Sequence, residues 1–320
     1  MEIFNHNSNI NFLGMRKFSV GIAIALIVAS IALIAVKGLN YGLDFTGGVS
    51  LVVDYDQPVQ IADVREALTK GGLENAVVQS LGGSKEVSIR MQPKDDPGSL
   101  DASGKVNLDK IADDVTRMLR ASRPDAKLKS RDYVGSQVGE ELRSDGIIAA
   151  IVVVLGIGLY LGIRFEWRFA VAAIVTEFHD ALVTVGVFAL VQREFDLTVL
   201  ASVLAVIGYS INDKVVVFDR VRELFRLARK AEPEEILNRS INNTLSRTII
   251  TALFTAITMA ALFFFGGPVV HGFAITMLIG ILVGTLSSIF VASPILLWLG
   301  VSKQDLMPRT KENPELARRP

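Results

Sequence analysis

Six runs of apolar residues divide the chain, and a long polar stretch separates the first run from the second. An α-helix needs about 20 mostly apolar residues to cross the hydrocarbon core of a bilayer, and each run is close to that length or longer. The pattern therefore predicts six transmembrane helices, with the last one tilted or broken near Pro294. They cover 18–37, 146–163, 169–191, 197–218, 248–265 and 272–299.

Basic residues lie mostly on one side of the predicted membrane, whereas the short loops on the opposite side carry only Arg193. The positive-inside rule places the basic side in the cytoplasm. Both termini, 1–17 and the tail 301–320, are therefore expected to be cytoplasmic. The basic side holds Arg16, Lys17, Arg164, Arg168, Arg220, Arg222, Arg226, Arg229, Lys230, Arg239, Lys303, Arg309, Lys311, Arg318 and Arg319.

The polar stretch 38–145 has the pattern of a small α+β domain. Apolar spacing predicts the order strand, helix, strand, strand, helix, strand, which is typical of ferredoxin-like folds. The orientation places this domain in the periplasm. The predicted fold class is thus a polytopic α-helical membrane protein, six transmembrane helices, with an α+β ferredoxin-like extracytoplasmic domain between helices 1 and 2. The predicted strands are 50–55, 76–81, 86–91 and 127–133, and the helices 61–70 and 108–121, with a Gly82-Gly83 turn and a loop at 93–105.

Composition narrows the range of functions. Half of the residues are hydrophobic and the mean hydropathy is +0.42, which favours a membrane protein over a soluble domain. The net charge is zero, so we expect no nucleic-acid partner. The chain has no cysteine and only three histidines, His6, His179 and His271, which makes a metal centre improbable. Without a nucleophile elbow or P-loop, we expect no enzyme activity and no cofactor.

Ionisable residues at bilayer depth are rare and usually functional. Predicted helix 4 carries Asp213 on the face of Tyr209, with Asn212 beside it, and helix 5 begins with Arg247 on the face of Thr251, Thr255 and Thr258. Both helices enter from the cytoplasm, so an Asp213–Arg247 pair is expected at their interface. A proton could switch such a pair, whereas the alternative is a static salt bridge that locks the bundle.

Predicted helix 3 carries Glu177, His179 and Asp180, with Asp180 near the midplane. Glu177 and Asp180 are three residues apart and share a face. They form either a proton relay or a polar contact between helices. Lys214 follows Asp213 by about 100° around helix 4, so it is expected to face another neighbour and to extend toward the cytoplasmic headgroups.

Two further patterns concern packing and the cytoplasmic surface. Thr276, Gly280, Gly284 and Ser288 recur at every fourth position of predicted helix 6, a spacing that lets another helix approach closely. The loop 219–245 is charged but has helical apolar spacing. It is interpreted as an amphipathic helix on the inner leaflet, with a docking surface for a cytosolic partner as the alternative.

Four runs of residues resemble a known family, the SecD/SecF accessory proteins of the protein translocon. Asp44, Phe45, Thr46, Gly47 and Gly48 match its FTGG signature, and three later runs match its other motifs in order. Length, six spans and a single outer domain are similar to the SecF branch of the family rather than the SecD branch. The runs are GLDFTGG at 42–48, VGSQVGEEL at 134–142, GYSINDKVVVFDR at 208–220 and GTLSSIFVASP at 284–294.

The resemblance implies a fold related to resistance-nodulation-division exporters. It also implies a complex with SecD, YajC and the SecYEG channel in the cytoplasmic membrane, and proton-driven help for the translocating polypeptide. The family's intramembrane Asp and Arg correspond to Asp213 and Arg247, whereas Lys214 departs from the small polar residue common at its position.

Two other classes of function stay open from the residues. One is an independent proton-driven exporter of small molecules, although six spans make only half of the usual two-half architecture. The other is an intramembrane hydrolase that uses an Asp180–Asp213 dyad or a pair of His179 with Ser202 or Ser210. Sodium could replace the proton as the coupling ion, because an Asp with Thr hydroxyls can bind either.

Overall fold

The computed structural model describes residues 9–81, 84–92, 106–227 and 231–302. The predicted Gly82-Gly83 turn, the loop at 93–105 and most of the tail lie outside the described residues. The described elements, in chain order, are α1 (Arg16–Lys37), β1 (Asn40–Tyr41), α2 (Leu43–Thr46), β2 (Gly48–Asp54), α3 (Ile61–Lys70), β3 (Val77–Ser80), β4 (Glu86–Met91), α4 (Leu108–Ser122), β5 (Lys127–Val134), α5 (Ser136–Arg164), α6 (Trp167–Val191), β6 (Glu194–Phe195), α7 (Leu197–Leu227), α8 (Pro233–Phe265), α9 (Pro268–Phe290) and α10 (Ala292–Trp298).

Six helical stretches among the described residues are long and apolar enough to cross a membrane. They are α1, α5, α6, α7, α8 and the stretch formed by α9 and α10, in agreement with the six predicted spans. Many of their apolar side chains are exposed, such as Phe18, Leu155 and Phe264. A bilayer is the solvent that such a surface requires.

The stretch between α1 and α5 forms a four-stranded antiparallel sheet in the order β3-β4-β2-β5. The strands and helices follow one another in the predicted order. In the sheet, β4 lies between β2 and β3, so the β2-α3-β3 unit is a split β-α-β arrangement. Leu51 and Ile89 of the sheet and Leu68 and Leu119 of the two helices are buried. Burying each such side chain contributes roughly 1.5–3 kcal/mol, which holds the helices on the sheet.

The boundary between this domain and the bundle differs from the prediction. The second span was expected to begin at Gly146, but α5 begins at Ser136, directly after β5. Its first turns pack against α2, and a Cβ on Gly139 would lie 3.1 Å from the Gly47 nitrogen. The sheet is therefore joined to the bundle by a continuous helix rather than by a loop.

The segment 219–245 does not form a separate helix on the membrane surface. Instead, α7 continues to Leu227 and α8 begins at Pro233, so both transmembrane helices extend beyond the apolar spans. Phe225 of α7 and Leu237 of α8 belong to one buried cluster. The apolar spacing of this segment thus reflects packing between two helices, which buries Val221, Leu224 and Phe225, whereas Leu227 is exposed.

The last span is broken close to the predicted place. Helix α9 ends at Phe290 and α10 begins at Ala292, two residues before Pro294. Proline lacks an N–H group, so the carbonyl group of Phe290 loses its helical donor. The Ser19 hydroxyl of α1 donates to this carbonyl at 2.9 Å and satisfies it. Such replacement is required where no water can reach the backbone.

The small residues of the last span lie against α7. A Cβ on Gly280 would clash with the side chain of Val206, and one on Gly284 would lie 2.6 Å from the Ser210 hydroxyl. Thr276 and Ser288 are buried as well. The absence of side chains at these two glycines lets the backbones of α7 and α9 approach closely.

The residues before α1 are held against α8. Asn238 accepts a hydrogen bond from the Phe12 backbone at 2.8 Å, and both Asn238 and Asn242 donate to the Ile10 carbonyl at 2.9 Å. Arg16 pairs with Glu234 at 2.5 Å. Phe12 and Leu13 are buried in the same cluster as Leu237. This stretch ties the start of α1 to the junction of α7 and α8.

Candidate functional site

Helix α7 carries two neighbouring charged side chains into the bundle, and the structure separates them onto different faces. Asp213 is 3% exposed, and its Oδ2 atom has no hydrogen-bond partner among the described residues. Its nearby polar groups are Thr251 and Arg247 of α8 and the adjacent Lys214. A carboxylate in such surroundings is costly to ionise, which is the property expected of a proton-binding group.

Arg247 is not in direct contact with Asp213. Both residues are described, and no nitrogen–oxygen distance between them is within 4.0 Å. Arg247 instead lines a cleft of about 510 Å³ together with Asp219, Arg220 and Asn243, at the end of the bundle where α7 and α8 join. In this structure the predicted pair is therefore not a salt bridge. The two charges are more than 4.0 Å apart, and Arg247 lines an open cleft.

The polar side chains predicted near Asp213 differ in their hydrogen bonds and in their exposure. Thr251 and Thr255 donate to backbone carbonyls of α8 at 3.0 and 2.8 Å, so only their oxygen lone pairs remain available. The Tyr209 hydroxyl is buried and has no partner among the described residues. Asn212 is exposed. The face of α8 toward α7 therefore offers hydroxyl acceptors beside Asp213, and the buried Tyr209 hydroxyl lies one turn away on α7.

A second polar cluster occupies another face of α7, about 100° around the helix from Asp213, where α6 and α9 approach. The Lys214 ammonium donates to Glu177 at 2.6 Å, to Asp180 at 2.7 Å and to Ser210 at 2.8 Å. Ser287 of α9 donates to Asp180 at 2.7 Å. All five side chains are buried.

The prediction that Lys214 extends toward the headgroups is wrong. Its side chain is fully buried and forms ion pairs with Glu177 and Asp180 of α6. The physical reason is proximity. Two carboxylates lie within hydrogen-bond reach of the ammonium group, so its charge is paired inside the bundle and the side chain does not have to extend to water. A sequence signal did exist, because a lysine inside an apolar span requires a counterion and α6 carries two carboxylates on one face.

The structure does not bring Asp180 and Asp213 together. Asp180 accepts hydrogen bonds from Lys214, Ser210 and Ser287 and also contacts the Nδ1 atom of His179 at 2.8 Å. No ion pair or hydrogen bond joins it to Asp213, so the two carboxylates do not form the dyad of an aspartyl hydrolase. Among the described residues, no group of three or more His, Cys, Asp or Glu is arranged to hold a metal ion.

The residues of the FTGG run form the joint between the α+β domain and the bundle. Asp44 of α2 accepts a hydrogen bond from the Leu197 backbone at 2.9 Å and so caps the start of α7. Phe45 is buried against Phe195 and Val199. Gly48 has a φ of 112°, and a Cβ there would lie 2.6 Å from the Met91 carbonyl oxygen, so only glycine fits.

The peptide groups of this joint are fastened by side chains from the sheet. Thr46 and Gly47 accept hydrogen bonds from Gln92 at 3.1 Å. The buried Arg90 of β4 donates to the Tyr41 carbonyl at 2.7 Å and pairs with Glu194 at 3.2 Å. β1 and β6 pair in parallel beside it. One arginine thus connects the sheet with β1, which follows α1, and with β6, which precedes α7.

Carboxyl groups at this joint are partly withdrawn from water. Burial raises the pKa of Glu194, against the opposing effect of Arg90. Burial also raises the pKa of Asp196, which accepts a hydrogen bond from the Val199 backbone at 2.7 Å. The start of α7 therefore has acidic groups that bind protons more readily than exposed carboxylates.

Comparison with known families agrees with this arrangement of motifs. A family model described as "Protein export membrane protein SecD/SecF, C-terminal" matches residues 114–302. A second one, "SecD/SecF GG Motif", matches residues 32–59, which include the joint. Protein translocase subunit SecF of Pseudomonas aeruginosa is 45% identical over 93% of this chain and 94% of its own length.

The chain belongs to the SecF family. Other SecF relatives agree, with 42% identity in Vibrio alginolyticus over 96% of this chain and 95% of the relative. The crystal structure of SecDF from Thermus thermophilus, a translocon-associated membrane protein, has a TM-score of 0.82 and 34% identity to this chain. It covers 93% of this chain, which in turn spans 39% of the SecDF chain. This member of the SecF family is a multi-pass inner membrane protein.

Proposed function

We propose that this chain is an accessory subunit of the Sec protein-export machinery that couples the proton motive force to late steps of polypeptide translocation. The observation that carries the proposal is Asp213, a buried carboxyl group inside a transmembrane helix with an unpartnered Oδ2 atom. Burial makes this carboxyl group costly to ionise, and the guanidinium of Arg247 on α8 attracts only its ionised form. Its attraction to Arg247 therefore changes each time it binds or releases a proton.

The cleft lined by Arg247 is the proposed route of this proton to one side of the membrane, although Asp213 itself does not line it. Asp219, Arg220 and Asn243 line it together with Arg247, and it is open at the end of the bundle where α7 and α8 join. Basic residues at the same end support a cytoplasmic orientation. In this orientation both termini are cytoplasmic and the domain 38–145 is periplasmic.

The joint at the FTGG run supplies a mechanical link from Asp213 to the outer domain. Asp44 caps α7, the same helix that carries Asp213, and Arg90 ties the sheet to the turn before α7. A shift of α7 would therefore displace the outer domain, which is the part of the chain placed to contact the emerging polypeptide. The proposed complex contains SecD as the second half of the membrane unit, next to the SecYEG channel and YajC.

The test is export of a secretory protein from cells whose only copy of this subunit is Asp213→Asn. We expect normal membrane level and normal co-purification of SecD but strongly reduced export, because the amide cannot bind or release a proton. Asp113→Asn, the same change at an exposed position of α4, is the matched control and should export normally.

Normal export by Asp213→Asn would contradict the proposal. A second arm identifies the ion: export should fall when a protonophore collapses the proton gradient and should persist when the sodium gradient alone is removed. Dependence on sodium instead would contradict the assignment of the proton.

A further inference from the structure

The polar cluster of Glu177, Asp180 and Lys214 does not balance its charge. Lys214 supplies one positive charge, and the two carboxyl groups supply two negative charges when both are ionised. All three side chains are at most 1% exposed, so neither water nor a headgroup compensates the difference. An uncompensated charge in a transmembrane bundle is strongly unfavourable. The cluster is neutral when it holds one proton.

The hydrogen bonds indicate that Asp180 is the ionised carboxylate. Its Oδ2 atom accepts from Lys214 at 2.7 Å, Ser210 at 2.6 Å and Ser287 at 2.7 Å, and its Oδ1 atom contacts the Nδ1 atom of His179 at 2.8 Å. Four donors around one carboxyl group strongly favour its charged form. Asp180 is therefore the counterion of Lys214.

Glu177 has the opposite surroundings. Its Oε1 atom accepts one hydrogen bond from Lys214 at 2.6 Å, and its buried Oε2 atom has no partner among the described residues. A proton on Oε2 removes the excess charge and leaves the contact of Oε1 with Lys214 in place. We propose that Glu177 is a second proton-binding group of the membrane domain, neutral beside the Lys214–Asp180 ion pair.

Protonation of His179 would also balance the charge, but at a higher cost. It would leave four buried ions, namely Glu177, Asp180, Lys214 and His179, whereas a proton on Glu177 leaves two. Each additional buried ion carries its own desolvation cost. The Nε2 atom of His179 is buried without a partner, and the ring lies beside an apolar groove between α1 and α9. A neutral ring that donates from Nδ1 fits these surroundings.

The neighbouring helices bring no further charge to Glu177. Its own helix presents Asp180 and α7 presents Lys214, and these are the charged groups that act on it. In the described part of the chain, no hydrogen bond or ion pair reaches Glu177 from α1, α5, α9 or α10. The ionisable residues of these helices lie toward their ends: Arg16, Lys17 and Lys37 of α1, Glu140, Glu141, Arg143, Asp145, Tyr160 and Arg164 of α5, and His271 of α9.

The experiment is infrared spectroscopy of the full chain in lipid nanodiscs at neutral pH, in the region where protonated carboxyl groups absorb. An Asp213→Asn background removes the other carboxyl group buried inside the membrane bundle, and the Glu177→Gln variant below separates Glu177 from Glu194. We expect one band from a protonated acid, and labelling of glutamate with carbon-13 in the side-chain carboxyl group should shift it. The label identifies the residue type without any change in the cluster.

Two variants in that background test whether Glu177 holds its proton because of the charge balance of the cluster or has a structural role only. Glu177→Gln should remove the band. Asp180→Asn should also remove it, although Glu177 is still present, because Glu177 then becomes the ionised counterion of Lys214. Circular dichroism and thermal unfolding confirm that each variant is folded.

Three results would each overturn the proposal. They are the absence of a band before the cluster is changed, a band that labelled glutamate does not shift, and a band that persists in Glu177→Gln. Survival in Asp180→Asn would also overturn it, because the proton would then not depend on the charge of the cluster. The spectra do not depend on export, so this proposal and the coupling role of Asp213 stand or fall separately.

Discussion

Adjacent residues of one transmembrane helix have different electrostatic partners in this chain. Asp213 faces α8, and Lys214 faces α6 and α9, because successive side chains are about 100° apart around a helix. Lys214 is held by Glu177 and Asp180, so it is not the direct counterion of Asp213. This separation leaves Asp213 with an unpartnered oxygen atom and Arg247 as the nearest cation on α8.

Replacement of Lys214 by methionine should destabilise the protein strongly. The substitution leaves Asp180 without its counterion in the bundle, and the loss of one partner from a buried pair costs about 3–5 kcal/mol. Thermal or denaturant unfolding of the chain in detergent measures the effect. Lys17→Met, the same change at an exposed position, is the control. Equal stability of the two variants would show that the ion pair contributes nothing.

Gly280→Ala tests the close packing of α7 and α9. The new methyl group would clash with the side chain of Val206, and such overpacking costs about 1–3 kcal/mol. Gly208→Ala on α7 is the matched control, because nothing lies within 4 Å of its added Cβ. In the isolated chain the control should be neutral or slightly stabilising, since alanine favours helices over glycine by about 1 kcal/mol. A similar unfolding midpoint for both variants would contradict this packing.

At the scale of elements, both ends of α7 make contacts with other parts of the chain. α7 begins at the joint with the α+β domain, where Asp44 caps it, and ends beyond the apolar span beside α8. Gln92 and Arg90 fasten the other side of this joint. The helix that carries Asp213 is thus anchored at both ends, which suits an element that transmits movement along its axis.

The joint should become more stable as the pH falls. The pKa of Glu194 is raised by burial, so the folded state binds the proton more tightly than the unfolded state. Its contribution is fully present below the ordinary value of 4.5 and is lost as the pH rises through the raised value. Wild type should therefore gain stability relative to Glu194→Gln on going from pH 7 toward pH 5, and unfolding midpoints at each pH measure this. A difference that does not change with pH would refute the prediction.

At the scale of the whole molecule, the described part of the chain consists of a membrane bundle and an α+β domain that meet at the joint of the FTGG run. Arg90 of β4 contacts two further elements, β1 through the Tyr41 carbonyl and the Asn40 side chain, and β6 through Glu194. α5 provides the second connection, because it continues from the sheet into the bundle. The described contacts between the two parts therefore lie at this joint and along α5.

Arg90→Gln should loosen the α+β domain from the bundle without unfolding either part. Removal of the guanidinium leaves Glu194 without its ion-pair partner, a loss of about 2–5 kcal/mol at this joint. Hydrogen exchange should accelerate at 40–48 and 194–199 and stay slow in the sheet. Arg117→Gln, at an exposed ion pair of α4, should change neither region. Unchanged exchange in Arg90→Gln would show that other contacts carry the connection.

The sequence by itself determined the number of spans, the order of the strands and helices in the outer domain, and the break near Pro294. These follow from local rules: the length of apolar runs, the spacing of apolar residues, and the missing N–H of proline. The family motifs were also legible, because they are short runs whose meaning does not depend on distant residues. Asp213 was recognisable for a similar reason, since an acid in an apolar run is unusual in itself.

Tertiary structure decided which of these residues meet. The spacing along α6 placed Glu177 and Asp180 on one face, but only the packing of α7 and α9 brought Lys214, Ser210 and Ser287 to it. Packing also turned the charged segment at 219–245 into extensions of α7 and α8. Hydropathy and periodicity describe one helix at a time, whereas the partner of a buried charge depends on the rotation and depth of its neighbours.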